Sequence, residues 1–119
     1  MSDHNRANDI GGKTIRWIWT EGPTKGKTHE HVFNEDGTVT WRAIDGNQDS
    51  PPSKPAKYAA FKVKDDVQVV SYLAESGYTL TVIMNYDDSS IVGFASGANE
   101  WYPVKGTFQV VNTAGKSEP

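Results

Sequence analysis

The succession VQVVSYLA (67–74), YTLTVIMNY (78–86), SIVGFAS (90–96) and WYPVKGTFQVV (101–111) decides the fold. Each piece is rich in Val, Ile, Thr and aromatic residues, and each is too short and too β-branched to persist as a helix. Glu75-Ser76-Gly77 and Asp87-Asp88-Ser89 stand between them as turn chemistry. The same texture continues toward the N-terminus. Lys64-Asp65-Asp66 turns the chain back into a strand over 56–63, and Glu35-Asp36-Gly37 is a hairpin signal between strands at 28–34 and 38–45. A glycine-containing link over 21–27 leads back to a first strand at 13–20. About eight strands thus fit in 119 residues, with no amphipathic stretch long enough for a helical crossover. A sheet without helices to cover it must close or double. The expected class is therefore all-β, an antiparallel barrel of about eight strands, with a sandwich as the other solution.

Residues 1–11 and 112–119 are small and polar, and read as flexible tails around one domain at 12–111. The long connection Gly46–Pro55 carries Pro51, Pro52 and Pro55, which keeps it out of any central strand. It reads either as a rim or lid or as an ordinary crossing between sheet halves. The formal charge of −3 comes from 12 basic and 15 acidic residues mixed along the chain, so no nucleic-acid partner is expected. The absence of cysteine excludes disulfides, thiol chemistry and thiolate-bound zinc. The opening MSDHNRAND has no apolar core of a secretory signal, and no apolar run reaches the roughly 18 residues of a membrane span. A cytoplasmic protein without a membrane partner is the expectation.

Strand alternation selects the residues that can face an interior. Trp17 and Trp19 share a face with Ile15, and Trp41 shares one with Val39 and Ala43. Tyr78, Leu80, Val82 and Met84 share a face, and the first three supply a second apolar wall. An eight-stranded barrel has room either for its own side chains or for one small ligand. Trp17, Trp19 and Trp41 are accordingly either an aromatic wall for a small planar organic ligand or a plug. His29 and His31 share a face with Phe33. Two imidazoles at this spacing can chelate, but Glu30 points the other way and no carboxylate cluster supplies a third ligand, so no metal is expected. A neutral, hydrogen-bonded pair is the reading. No phosphate loop, dinucleotide glycine fingerprint or nucleophile elbow occurs, and no cofactor is expected. Arg42 alternates away from Trp41, which leaves Lys57, or Arg16 on a twisted first strand, to meet an anionic group.

GKTIRWIW (12–19), THEHVFNEDGTVTWRAIDG (28–46) and VVSYLAESGYTLTVIMN (69–85) together resemble the lipocalin-like (calycin) barrels grouped around the MoaF proteins and the phenolic acid decarboxylases. The likeness runs over about residues 10–108 and fits the MoaF side better, through Val69-Val70-Ser71-Tyr72-Leu73 and Val92-Gly93-Phe94-Ala95-Ser96. In the decarboxylases a tyrosine pair, an arginine and a glutamate carry the reaction. The resemblance lays the tyrosines on Trp17 and Trp19, the arginine near Lys57, and the glutamate on Ala74, one residue before Glu75. Indoles lack the phenol, lysine lacks the bidentate fork, and a one-residue slip on a strand reverses facing. The resemblance thus implies a small binding barrel rather than a decarboxylase.

The leading expectation is a binding barrel for an aromatic or carboxylate-bearing small molecule, with Trp17, Trp19, His29, His31, Trp41, Lys57, Tyr72 and Tyr78 as ligand-binding residues. A small-molecule lyase using Glu30, His29, His31 or Glu75 as acid and base is the enzymatic alternative. A plugged barrel with a structural or partner-binding role is the third, and a homodimer stays open.

Overall fold

A computed structural model describes residues 10–45, 48–49 and 51–113, and every regular element among them is a β-strand. The strands are β1 (Lys13–Glu21), β2 (Thr28–Phe33), β3 (Thr38–Asp45), β4 (Gln48–Asp49), β5 (Ala56–Lys64), β6 (Val67–Leu73), β7 (Thr79–Asn85), β8 (Ser90–Ser96) and β9 (Trp101–Thr113). All pairings are antiparallel, in the order β2-β1-β9-β8-β7-β6-β5-β3-β4. The β2–β3 hairpin joins the two ends of that order, so eight strands close into a barrel and β4 stays outside as a short flap on β3. The Asp36-Gly37 turn sets that hairpin: Asp36 Oδ1 accepts from the Thr38 amide at 3.0 Å and its hydroxyl at 2.6 Å, and Gly37 sits at φ 91°.

The seam between β3 and β5 is narrow, paired only at Thr38–Lys57 and Val39–Ala56. Beyond it the proline-bearing connection takes over as a partner for β3. The Ser53 amide donates to the Trp41 carbonyl at 2.8 Å, and the Trp41 amide donates to Ser53 Oγ at 3.0 Å. The Lys54 amide reaches Glu75 Oε1 at 3.3 Å, which ties this connection to the β6–β7 turn. The backbone groups β3 would otherwise expose are satisfied there without a full strand.

Alternation sorts the side chains as the sequence suggests. Ile15, Trp17 and Trp19 of β1, Val70 and Tyr72 of β6, and Val82 and Met84 of β7 are all buried inside. One end of the barrel is filled by Phe33, Met84, Ile91, Tyr86 and Phe108, with Tyr86 donating to buried Gln68 Oε1 at 2.6 Å. Ile10 is part of this plug and only 2% exposed, and the Gly12 amide donates to the Phe33 carbonyl. Ile10 and Gly11 therefore belong to the domain rather than to the tail expected over 1–11, and β9 runs on to Thr113. The rest of the two tails lies outside the described residues. On the outer wall, Phe61, Phe94 and Trp101 are exposed, the last two in edge contact.

Candidate functional site

The end of the barrel opposite the plug is hollow. A cavity of about 360 Å³ lies inside the β1–β2 and β6–β7 connections. One wall consists of Trp19, His29 and Trp41 from β1, β2 and β3; the facing wall consists of Tyr72, Tyr78, Leu80 and Tyr102. Small residues make the room, since Ala74 and Ala95 stand where a larger side chain would fill it. The lining is aromatic and aliphatic with a few polar tips, the usual make-up of a small-molecule site.

The aromatic wall is tied together by a hydrogen bond and a ring contact. The Trp19 indole N–H donates to His29 Nδ1 at 3.0 Å. The His29 ring lies 5.0 Å from the Trp41 ring centre. Burial, and then the Lys27 charge, hold the His29 pKa below the ordinary imidazole value, so the ring is neutral. Beneath it His31 is fully buried and stacked on Trp17 with ring centres 4.1 Å apart. His31 Nε2 lies 2.7 Å from the Tyr72 hydroxyl, while its Nδ1 and the Trp17 indole nitrogen have no hydrogen-bond partner. Burial first, and the neighbouring His29 second, lower the His31 pKa to about 3, against a weak opposing contribution from the His29 backbone. Burial also raises the Tyr72 pKa.

At the mouth, Tyr78 and Tyr102 stack with ring centres 6.4 Å apart and both hydroxyls donate to Glu100, that of Tyr102 at 2.8 Å. The bond to Glu100 raises the Tyr78 pKa to about 12, and the two phenols lower that of Glu100. Tyr102 was legible as inward, because it alternates with Val104 and Phe108. Glu100 was not, since its role depends on how the β8–β9 turn folds back over Tyr78.

Of the residues expected to bind a ligand, Trp19, His29, Trp41, Tyr72 and Tyr78 line the cavity together. Trp17 and His31 form its buried underlayer. Lys57 does not join them: it is exposed on β5 while its neighbour Tyr58 turns inward and donates to the Asn34 carbonyl. Arg16 and Arg42 are also outside. Glu30, in register between them across β1, β2 and β3, accepts from Arg16 Nε at 3.0 Å and from Arg42 Nη2 at 2.9 Å. Burial opposes ionisation of Glu30, but both arginines outweigh it and the carboxyl is held below its usual range. Glu75 is exposed on the β6–β7 turn. The four groups proposed for acid–base work are thus divided between the interior and the outer wall. Among the described residues no group of three His, Asp or Glu is arranged to hold a metal, and no helix is long and apolar enough to cross a membrane.

The model of the MoaF N-terminal domain family matches residues 4–100. A crystal structure of a candidate beta-lactamase from Burkholderia vietnamiensis superposes with a TM-score of 0.70 at 18% identity, over 87% of this chain and 96% of that one. That likeness concerns the fold. No curated protein matches the chain.

Proposed function

We propose a function from one premise: the chain belongs to the MoaF N-terminal domain family. The protein is a lipocalin-like binding barrel that holds one planar, largely apolar organic molecule of two or three fused rings in its open end. The observation that carries this is the cavity of about 360 Å³ between the Trp19–His29–Trp41 wall and the tyrosines opposite. A flat ring system is favoured because aromatic faces stack at low entropic cost and the wall is already tied by the Trp19–His29 hydrogen bond and the His29–Trp41 ring contact.

An anionic ligand finds less support, because no lysine or arginine is among the lining residues. Decarboxylation of phenolic acids lacks its groups, since tryptophans occupy the tyrosine positions and Glu75 is exposed. The activity named for the Burkholderia protein is not carried over: the sequence contains no Ser-x-x-Lys motif that would supply a beta-lactamase nucleophile.

Titrating naphthalene- and fluorene-sized neutral aromatics while following tryptophan fluorescence tests the reading. Trp19 and Trp41 should be quenched with a Kd of about 1–100 μM, the range expected for burying such a molecule. An Ala95→Phe variant, which fills the cavity, should abolish the response. No response in the parent protein, or an equal one in the filled variant, would refute the proposal.

A further inference from the structure

We propose that His29 is a tautomer-locked hydrogen-bond donor in the cavity wall, and that the barrel selects planar ligands bearing an acceptor oxygen, such as an aromatic ketone, over the bare hydrocarbon. This rests on the binding reading above and specifies its ligand class.

The argument begins at Trp19. An indole nitrogen can only donate, so the His29 Nδ1 that lies 3.0 Å from it must offer a lone pair. A neutral imidazole with an unprotonated Nδ1 carries its hydrogen on Nε2. Protonating the ring would set two N–H groups against each other, which agrees with the lowered pKa of His29. Among the described residues His29 Nε2 has no hydrogen-bond partner, and the ring lines the cavity. The tyrosine hydroxyls of the opposite wall are already engaged, Tyr72 with His31 and Tyr78 and Tyr102 with Glu100. The wall thus presents a fixed N–H donor in a largely apolar lining, whose further hydroxyl-bearing residues are Thr24 and Ser76. A ligand whose ring stacks beside Trp41 and whose oxygen meets Nε2–H satisfies that donor, whereas a hydrocarbon leaves it unpaired. An unpaired polar group discriminates more strongly than an added apolar contact does.

Fluorenone and fluorene share one shape and differ by the carbonyl, so they are the probes. The Kd ratio of fluorene to fluorenone should fall about tenfold in His29→Phe relative to the parent protein, the loss of one hydrogen bond to a desolvated acceptor. Fluorene itself should still bind the variant. Trp19→Phe frees the tautomer, so the ratio should fall there as well, which identifies Trp19 as a positioning residue. Imidazole nitrogen NMR of the parent protein needs no variant: it should find hydrogen on Nε2 and not on Nδ1, and an Nε2–H signal that moves with fluorenone more than with fluorene. Hydrogen on Nδ1, or an unchanged ratio in His29→Phe with both probes still bound, overturns the inference and leaves the binding reading standing. Failure of both probes to bind the parent protein overturns the two together.

Discussion

Acidification should destabilise this barrel through His31 before its carboxylates titrate. His31 is fully buried and its pKa is lowered to about 3, whereas an unfolded histidine titrates near 6.5. Between those values the unfolded chain binds a proton that the folded barrel refuses, so stability rises with pH across the window. The contribution is complete above pH 6.5 and is lost progressively as the pH falls toward 3. Taking these two pKa values, the loss between pH 7.5 and pH 5.0 is about 2 kcal/mol, a large share of the roughly 5–15 kcal/mol that holds a domain folded. His29, lowered in the same direction, adds to it. Urea unfolding at the two pH values measures the effect, and the midpoint should drop by about 1 M at pH 5.0. The control is His31→Gln, which can still hydrogen-bond the Tyr72 hydroxyl but has no proton to gain. It will be less stable at both pH values, yet its loss on acidification should be smaller by about 2 kcal/mol. An equal loss in parent and variant would refute the claim that the buried imidazole is the sensor.

Two substitutions away from the cavity test the frame around it. Glu30→Gln removes the carboxylate that Arg16 and Arg42 share, and should cost about 1–2 kcal/mol in denaturant melts, a charged hydrogen-bond loss discounted for the partly exposed arginines. The cost should shrink in high salt, and a salt-independent loss would point to packing instead. Gly93→Ala places a Cβ against the Thr81 carbonyl and 2.7 Å from the Val82 Cα. It should lower stability by about 1–3 kcal/mol in thermal melts, and an unchanged midpoint would contradict so close an approach of β7 and β8.

The architecture was legible because every strand carries its facing in its own alternation. Ile15, Trp17 and Trp19 are apolar at every second position, and the chain can bury them only as one face of a strand. Much of the cavity wall followed from the same parity. The outward position of Lys57 is legible too, since Tyr58 beside it shares its parity with the half-buried Ala56 and Ala60; the resemblance to the decarboxylases, which lays an arginine near Lys57, runs against that parity. Ile10 was missed because a single apolar residue among polar neighbours has no period to announce it. The Arg16–Glu30–Arg42 row depends on the register of three strands, and register is a tertiary property that no one strand encodes. The clasp of Tyr78 and Tyr102 on Glu100 likewise depends on the path of a turn.

The sequence posed the tryptophans as either a plug or a wall, and the two descriptions apply at different heights of one barrel. Trp17 is fully buried and packed on His31, above an end filled by Phe33, Met84, Ile91 and Phe108. One step of the alternation further along β1, Trp19 lines the cavity together with the small residues Ala74 and Ala95, and space remains between it and the tyrosines opposite. The small side chains of Ala74, just past β6, and Ala95, on β8, leave that space. The stacked pair beneath also bears on the cavity above it. The His31–Tyr72 bond fixes Tyr72 in the wall, so a polar group buried at a cost to acid stability holds one side of the site in place. The Trp19–His29 bond does the same on the other side. A cavity bounded by two such bonds is preorganised, and a rigid ligand entering it need order little else.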